Sequence, residues 1–336
     1  MPDRHGRVDA VLRAACGTAF TGAVARIEQN GAVRFERAYG TTRLDGEPRP
    51  VFADTRFDLA SITKLFVATL ALRLADGPLG LDAPVIRNEI TPRMLLAHTS
   101  GMNSGADYRS ILDENVERYA LERELVATPG ERVVYSDLGF IALGVLIERA
   151  AEASLDALVR TTFSSPTLAY RPPYVERGSI PATEDDGWRG RVQGFVHDEK
   201  AFLMGGAAGH AGLFGTAADV AALTDIYLAA QTGRSQTLLP AALAREAVRE
   251  QAYDPILRRG LGWALKTSDE NSCGRLMERS SFGHTGFVGT CVWADPMRDL
   301  QGVLLTNSVY FGRNDTRDLR AAFYEAMVDD ASEAAA

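Results

Sequence analysis

Leu59-Ala60-Ser61-Ile62-Thr63-Lys64-Leu65-Phe66-Val67-Ala68-Thr69-Leu70-Ala71-Leu72 is the stretch on which the fold turns. Leu65, Phe66, Thr69, Leu70, Leu72 and Leu74 build a broad apolar surface and Gly77-Pro78 ends it, so the pattern predicts a helix over residues 59–75. Ser61 opens that helix, among unpaired N–H groups at the positive end of its dipole, and Lys64 stands three residues on along the same face. Ser61 to Lys64 is the only S-x-x-K in the chain, and of 36 basic residues only Lys64, Lys200 and Lys266 are not arginine. Burial can deprotonate a lysine and effectively cannot deprotonate an arginine. A serine cap followed by a snorkelling lysine would read the same way, so the rest of the chain has to decide between the two.

Working outward, residues 22–28 and 32–38 alternate apolar and polar side chains around Asn30-Gly31, which predicts a hairpin. Helical patterns then cover 91–98, 108–125, 137–153, 217–230 and 240–251, with a long Gly/Pro-rich connection over 163–215. The period changes again near the end: 260–266, 281–285, 290–294 and 302–307 read as strands, 315–328 as a helix, and 329–336 as a frayed tail. Strands at both ends around a helical middle predict an α/β chain of the α+β type. The terminal strands share one antiparallel sheet, the first and last helices cover one face, and the helical insertion covers the other. The expected organisation is one catalytic unit over 1–336, with an α/β part (1–76 plus 255–336) and a helical part (77–254).

Composition narrows the class. With 336 residues and 46% hydrophobic content the chain can bury a large core. A net charge of −8 argues against a dedicated nucleic-acid partner, because phosphate affinity needs concentrated positive charge. Cys16, Cys273 and Cys291 are odd in number and widely spaced, so reduced thiols are expected. The charged start of the chain is unlike a secretory leader, and no apolar run reaches the roughly 20 residues that span a bilayer. A soluble cytoplasmic protein with no membrane partner is expected.

Two further elements carry chemistry. Tyr135-Ser136-Asp137 follows the Pro129-Gly130 turn and precedes a helix, where the phenol can point into a cleft and Asp137 can cap the helix. His284-Thr285-Gly286, continued by Phe287-Val288-Gly289-Thr290, ends a predicted strand, and glycines there allow close approach to a ligand. His197, Asp198 and His210 fit no standard zinc spacing, and no metal is expected. Trp188 and Tyr174 either line a pocket or cover core.

In their order, S-x-x-K, Y-x-(N/D) and (K/H)-T-G resemble the serine β-lactamase and penicillin-binding-protein superfamily, in the class C-like branch that includes esterases and peptidases. Leu81 to Val85, Leu95 to Gly101, Leu138 to Phe140 and Gly209 to Phe214 extend the resemblance over roughly residues 20 to 310. It implies the β-lactamase/transpeptidase-like fold, no cofactor, and a covalent acyl-serine route. Ser61 is the implied nucleophile, Lys64 the amine that helps remove its proton, and Tyr135 the proton relay. Desolvation should favour a neutral Lys64. The N–H groups of Ser61 and Phe287 form the implied oxyanion hole, and Asp137, His284, Thr285 and Gly286 border the substrate.

Two residues depart from the pattern. His284 replaces a permanently charged lysine, and Asp137 replaces the commoner asparagine. Both point away from a dedicated β-lactamase and towards an esterase-like or amidase-like hydrolase of neutral or amine-bearing substrates. Lys266-Thr267-Ser268 lacks the glycine and is the weaker candidate for the third motif. Val196-His197-Asp198-Glu199-Lys200 with Gly205-Gly206 is similar to cytoplasmic relatives that trim muramyl peptides in cell-wall recycling. A weak β-lactamase or D-amino-acid carboxypeptidase, and a non-catalytic binder on the same fold, are the alternatives.

Overall fold

A computed structural model describes residues 5–105 and 107–333. Helix α1 (Gly6–Ala15) is followed by the hairpin of β1 (Gly22–Gln29) and β2 (Ala32–Gly40). Its turn residues Asn30 and Gly31 have φ of 54° and 71°, the left-handed pair that a two-residue hairpin turn requires. Strand β3 (Phe57–Asp58) then leads through a 3-10 turn, Ala60–Ile62, into α2 (Thr63–Arg73). The middle holds α3 (Pro92–Leu96), α4 (Val116–Glu122), α5 (Asp137–Ala151) and α6 (Leu155–Phe163). Short pieces β4 (Ala169–Tyr170), β5 (Asp185–Asp186), β6 (Gly190–Arg191), α7 (Glu199–Leu203) and β7 (Leu213–Gly215) lie in the long connection. After α8 (Ala217–Thr232) and α9 (Ala241–Ala247) come the strands β8 (Arg258–Arg259), β9 (Ala264–Leu265) and β10 (Phe282–Thr285). Strands β11 (Cys291–Asp295) and β12 (Leu300–Thr306) and helix α10 (Arg317–Glu333) complete the described chain.

Seven strands form one antiparallel sheet in the order β2-β1-β12-β11-β10-β9-β8, so the two ends of the chain meet where β1 pairs with β12. The two-residue period of β1 sorts its side chains by face. Ala23, Ala25 and Ile27 join Val8 and Leu12 of α1 and Phe323 and Met327 of α10, whereas Val24 joins the core built by α2, α5 and α8. Gly302 on β12 lets α10 lie directly on the sheet, since a Cβ there would stand 2.5 Å from Met327 Sδ. Helix α2 is buried along its length from Thr63 to Leu72, so it runs through the core rather than along a surface. Each Leu or Phe so buried contributes about 1.5–3 kcal/mol of transfer free energy. The arrangement fixes the start of α2 at the junction of sheet and helical insertion.

Several expected boundaries move. The helix expected over 108–125 is broken into a 3-10 turn, Tyr108–Ser110, and α4, with Asn115 capping the latter through its side chain. The strand expected over 260–266 is reduced to β9, because Gly262 has φ 83° and the chain turns there to pair β8 with β9. Helix α9 is shorter than the pattern over 240–251. The expected frayed tail is helical through Glu333, because Asp330 is buried and accepts from the Val8 N–H at 3.1 Å and from Arg7 at 3.3 Å. Residues 334–336 lie outside the described residues.

Candidate active site

The S-x-x-K serine does not cap α2. Ser61 sits inside the 3-10 turn that precedes the helix, and the residue before it, Ala60, has φ 46°. That left-handed conformation is uncommon for alanine and marks stored strain. Three contacts hold it: Asp58 Oδ1 accepts from the Ala60 N–H at 2.8 Å, the Leu59 N–H donates to the Leu213 carbonyl at 2.9 Å, and Thr63 Oγ1 accepts from the Leu213 N–H at 3.2 Å. Asp58 also accepts from the His197 N–H at 2.7 Å. His197 and Leu213 therefore brace the serine turn.

Lys64 Nζ is fully buried and makes three contacts, donating to Ser61 Oγ at 2.8 Å and to the His210 carbonyl at 3.2 Å and pairing with Asp137 Oδ1 at 2.9 Å. An ammonium has three N–H bonds, and all three have an acceptor here. Burial opposes the charge, but Asp137 and the Tyr135 oxygen outweigh it and raise the Lys64 pKa above its ordinary value. These contacts favour the ammonium form over the expected neutral amine, with Asp137 the nearest opposite charge. Asp137 is in turn compensated by Lys200 Nζ at 3.5 Å, so it adds little net negative charge to the site and carries less weight against anionic substrates than its sequence position suggests. Its carboxyl is resisted by burial and held ionised by Lys64 and Lys200. Beyond Lys200, Asp198 accepts from His210 Nε2 at 2.7 Å, closing a ring of alternating charges and donors. The helix cap is Ser136, whose Oγ accepts from the Gly139 N–H at 2.7 Å, and not Asp137, which occupies the first helical position.

Tyr135 Oη stands 3.1 Å from Ser61 Oγ. His98 Nδ1 accepts from the Ser136 N–H at 3.1 Å, and its imidazole packs 4.6 Å from the Tyr135 ring. Lys64 and Arg259 stand 5.1 and 5.2 Å from the centre of the same ring. His284 is buried and donates Nδ1–H to the Thr285 carbonyl at 2.8 Å. Burial and the neighbouring Lys64 and Arg259 push its pKa down to about 3, so His284 carries no charge at neutral pH. Gly286 is required for fit, since a Cβ there would lie 2.1 Å from Thr290 Oγ1 and 2.9 Å from the Leu59 carbonyl. Strand β10 can thus approach the serine turn, and the Phe287 N–H has no protein acceptor among the described residues. Ser61, Tyr135, Asp137, Thr285, Gly286 and Phe287 all line one cavity of 470 Å³. Lys266 is spent elsewhere, donating to the carbonyls of Arg275 and Met277.

A model of the beta-lactamase family matches residues 8–326. The chain belongs to the beta-lactamase family. It is a serine hydrolase of that family. It is 30% identical to the N-acetylmuramyl-L-alanine amidase of Bacillus subtilis, over 90% of this chain and 80% of that protein. It is 31% identical to esterase EstB of Burkholderia gladioli, over 95% and 94% of the two. Among solved structures, EstCE1, a hydrolase with promiscuous acyltransferase activity, superposes with a TM-score of 0.76 at 21% identity, covering 97% of this chain and 98% of that one, which shows a shared fold.

Sequence reasoning passed over several residues of this cluster. Lys200 and Asp198 connect to Lys64 through Asp137, and His210 through its carbonyl, links made in space that residue spacing does not reveal. His98 carried a signal in Leu95 to Gly101, where its φ of 58° now marks it as specially held. Trp188 does not cover core: it is 39% exposed and stacks on Tyr108 at 5.0 Å, and Tyr174 is 81% exposed. No group of three metal-ligating side chains suited to an ion occurs among the described residues, and no described helix is long and apolar enough to cross a membrane.

Proposed function

We propose that the whole chain is one catalytic unit, an α/β part over 1–76 and 255–336 and a helical part over 77–254, that cleaves an ester or amide through an acyl-serine. A single core joining sheet residues Val24 and Val303 to Phe66 and Phe140 supports the unity of the two parts. Ser61 Oγ attacks the substrate carbonyl while its proton passes to Tyr135 Oη, which enters the step as the phenolate. The oxyanion is received by the N–H groups of Ser61 and Phe287, each such donor being worth about 3 kcal/mol. The C–O or C–N bond then breaks, and Tyr135 returns the proton to the leaving group. Water next enters, gives a proton to Tyr135 and adds its oxygen to the acyl carbon; the bond to Ser61 Oγ then breaks, Tyr135 returns the proton to Ser61 Oγ, and the acyl group leaves as a carboxylic acid. Lys64 stays charged throughout and stabilises negative charge between the two oxygens. The observation that carries this division of roles is the full use of all three Lys64 N–H bonds, which leaves Tyr135 as the group that exchanges the proton.

The test is intact mass of wild type and Ser61→Ala after brief exposure to p-nitrophenyl acetate and acid quench. One acetyl adduct on wild type alone is expected; equal labelling of both proteins contradicts Ser61 as nucleophile. The 30% identity to an N-acetylmuramyl-L-alanine amidase favours one narrower reading, hydrolysis of a muramyl amide. Release of L-alanine from N-acetylmuramyl-L-alanine by wild type, and none by Ser61→Ala, would support it. A cytoplasmic setting fits this reading, and three free cysteines agree with a reducing compartment.

A further inference from the structure

Asp58 is a buried acid beside the serine turn that takes no part in moving a proton. Among the described residues no cation lies within 4.0 Å of its carboxylate. Its two oxygens accept from main-chain N–H groups instead, Oδ1 from Ala60 at 2.8 Å and Oδ2 from His197 at 2.7 Å. A carboxylate is costly to take out of water, and a neutral side chain with one acceptor would satisfy only one of these N–H groups. The position therefore needs both contacts at once.

The two N–H groups lead to the two oxyanion donors. Ala60 precedes Ser61, and its left-handed backbone, φ 46°, orients the planar peptide that carries the Ser61 N–H. On the other oxygen, the His197 ring packs 5.6 Å from the ring of Phe287, whose N–H is the second donor. Both rings are held in turn: His197 Nδ1 lies 3.1 Å from Thr183 Oγ1, and the Arg313 guanidinium stands 5.4 Å from the centre of the Phe287 ring. Strand β3 thus carries one carboxylate from which ties run to each side of the hole.

We propose that Asp58 is the positioning residue of the oxyanion hole, aiming the Ser61 N–H through Ala60 and steadying the Phe287 N–H through His197. It touches neither substrate nor the reacting atoms. Because the two donors matter most when charge reaches the carbonyl oxygen, Asp58 serves the acylation step and not the initial binding of substrate. The inference rests on Ser61 being acylated in a hole made by these two N–H groups.

The acid is poised to report on itself. Burial, aided by Asp198 and opposed by the two N–H bonds and by Arg189, pushes its pKa up to about 6. Asp198 faces it from the cap of α7 and is itself bound to His210, Arg189 faces it from the β5–β6 turn, and His197 is the titratable side chain next to it.

The test is Asp58→Asn, which keeps the shape and replaces one acceptor by an NH₂ donor, so that one of the two main-chain N–H groups is left without a partner. At pH 7.5 the saturating rate of the p-nitrophenyl acetate burst should fall about ten-fold or more. The ester concentration giving half of that rate should change by less than about two-fold. The ratio of wild-type to variant burst rates cancels the Tyr135 titration common to both. It should rise about five-fold from pH 5 to pH 7, since the protonated acid is the isostere of the amide. A ratio that does not change with pH overturns the proposal, and so does a loss confined to half-saturation. A measurement on wild type needs neither a folded variant nor a live serine: the ¹⁵N–¹H signals of Ser61 and Phe287 should titrate together near pH 6. Signals that stay put between pH 5 and 7 overturn the proposal. Joint titration in a protein whose Ser61 takes no acetyl group would locate the failure in the nucleophile and not in Asp58.

Discussion

The two sides of Ser61 handle charge in opposite ways. On the helical side, Lys64, Asp137, Lys200 and Asp198 alternate in sign, with each neighbouring pair within 4 Å. On the sheet side, His284 is buried without charge, and Arg259 is buried over the Tyr135 ring with no carboxylate paired to it among the described residues. Desolvation acts on both regions. Where opposite charges are close it is outweighed and protonation states are locked; where they are absent it neutralises a histidine and leaves an arginine against an aromatic ring. The paired side is suited to holding a fixed field around the reacting oxygens.

Removing the centre of the paired side should have the largest effect. Lys64→Met leaves Asp137 with Lys200 alone and strips the Ser61 and Tyr135 oxygens of their cation, so the acylation rate should fall by about 10³-fold or more, read from the p-nitrophenolate burst. Retention of more than about a tenth of the rate would remove Lys64 from the mechanism. The Asp58→Asn burst described above comes next, and tests a buried carboxylate held by N–H groups instead of by a cation. Asp137→Asn sharpens the contrast by deleting one carboxylate without changing its shape. The Lys64 titration should move to lower pH, with a loss in kcat/KM of about ten-fold because the hydrogen-bond geometry survives. A titration that stays put would mean that Asp137 is not what holds the charge.

The smallest effect concerns stability. His284 has its pKa near 3 in the folded protein against an ordinary 6.5, so between these values the unfolded chain binds a proton that the folded one does not. Its contribution to stability is complete above about pH 6.5 and is lost as pH falls towards 3, with a slope of about 1.4 kcal/mol per pH unit. His98, also depressed by burial and by Arg259 and Lys64, adds acid sensitivity of the same sign. Urea unfolding between pH 6 and 4 should therefore be less steeply pH-dependent in His284→Gln than in wild type. Parallel profiles would show that His284 takes up its proton in the folded state.

The paired side was legible in its residue types and illegible in its charge. Ser61, Lys64 and Tyr135 follow from motif order, and the structure brings their polar atoms within 3.1 Å of the serine oxygen. The protonation of Lys64 does not follow, because it depends on Asp137, 73 positions away, aiming its carboxylate back across the start of α5. Strands and hairpin were read from two-residue alternation and from Asn30-Gly31, both local signals. The β8–β9 turn was missed because Gly262 breaks the alternation within the run 260–266. Arg259 is illegible for a related reason: in a chain whose basic residues are nearly all arginine, nothing in the sequence sets one of them apart.

The most direct test of the central claim uses the scarcity of lysine. With only Lys64, Lys200 and Lys266 present, protein labelled with ¹³C at lysine Cε gives three resolvable titrations, assigned with Lys200→Arg and Lys266→Arg. The Lys64 signal is expected to keep its ammonium position across neutral pH and up to the alkaline limit of the fold. A Lys64 signal that titrates at or below about pH 8 would contradict the account, since an ordinary lysine titrates near 10.4 and a lower value would make the neutral amine available as the base.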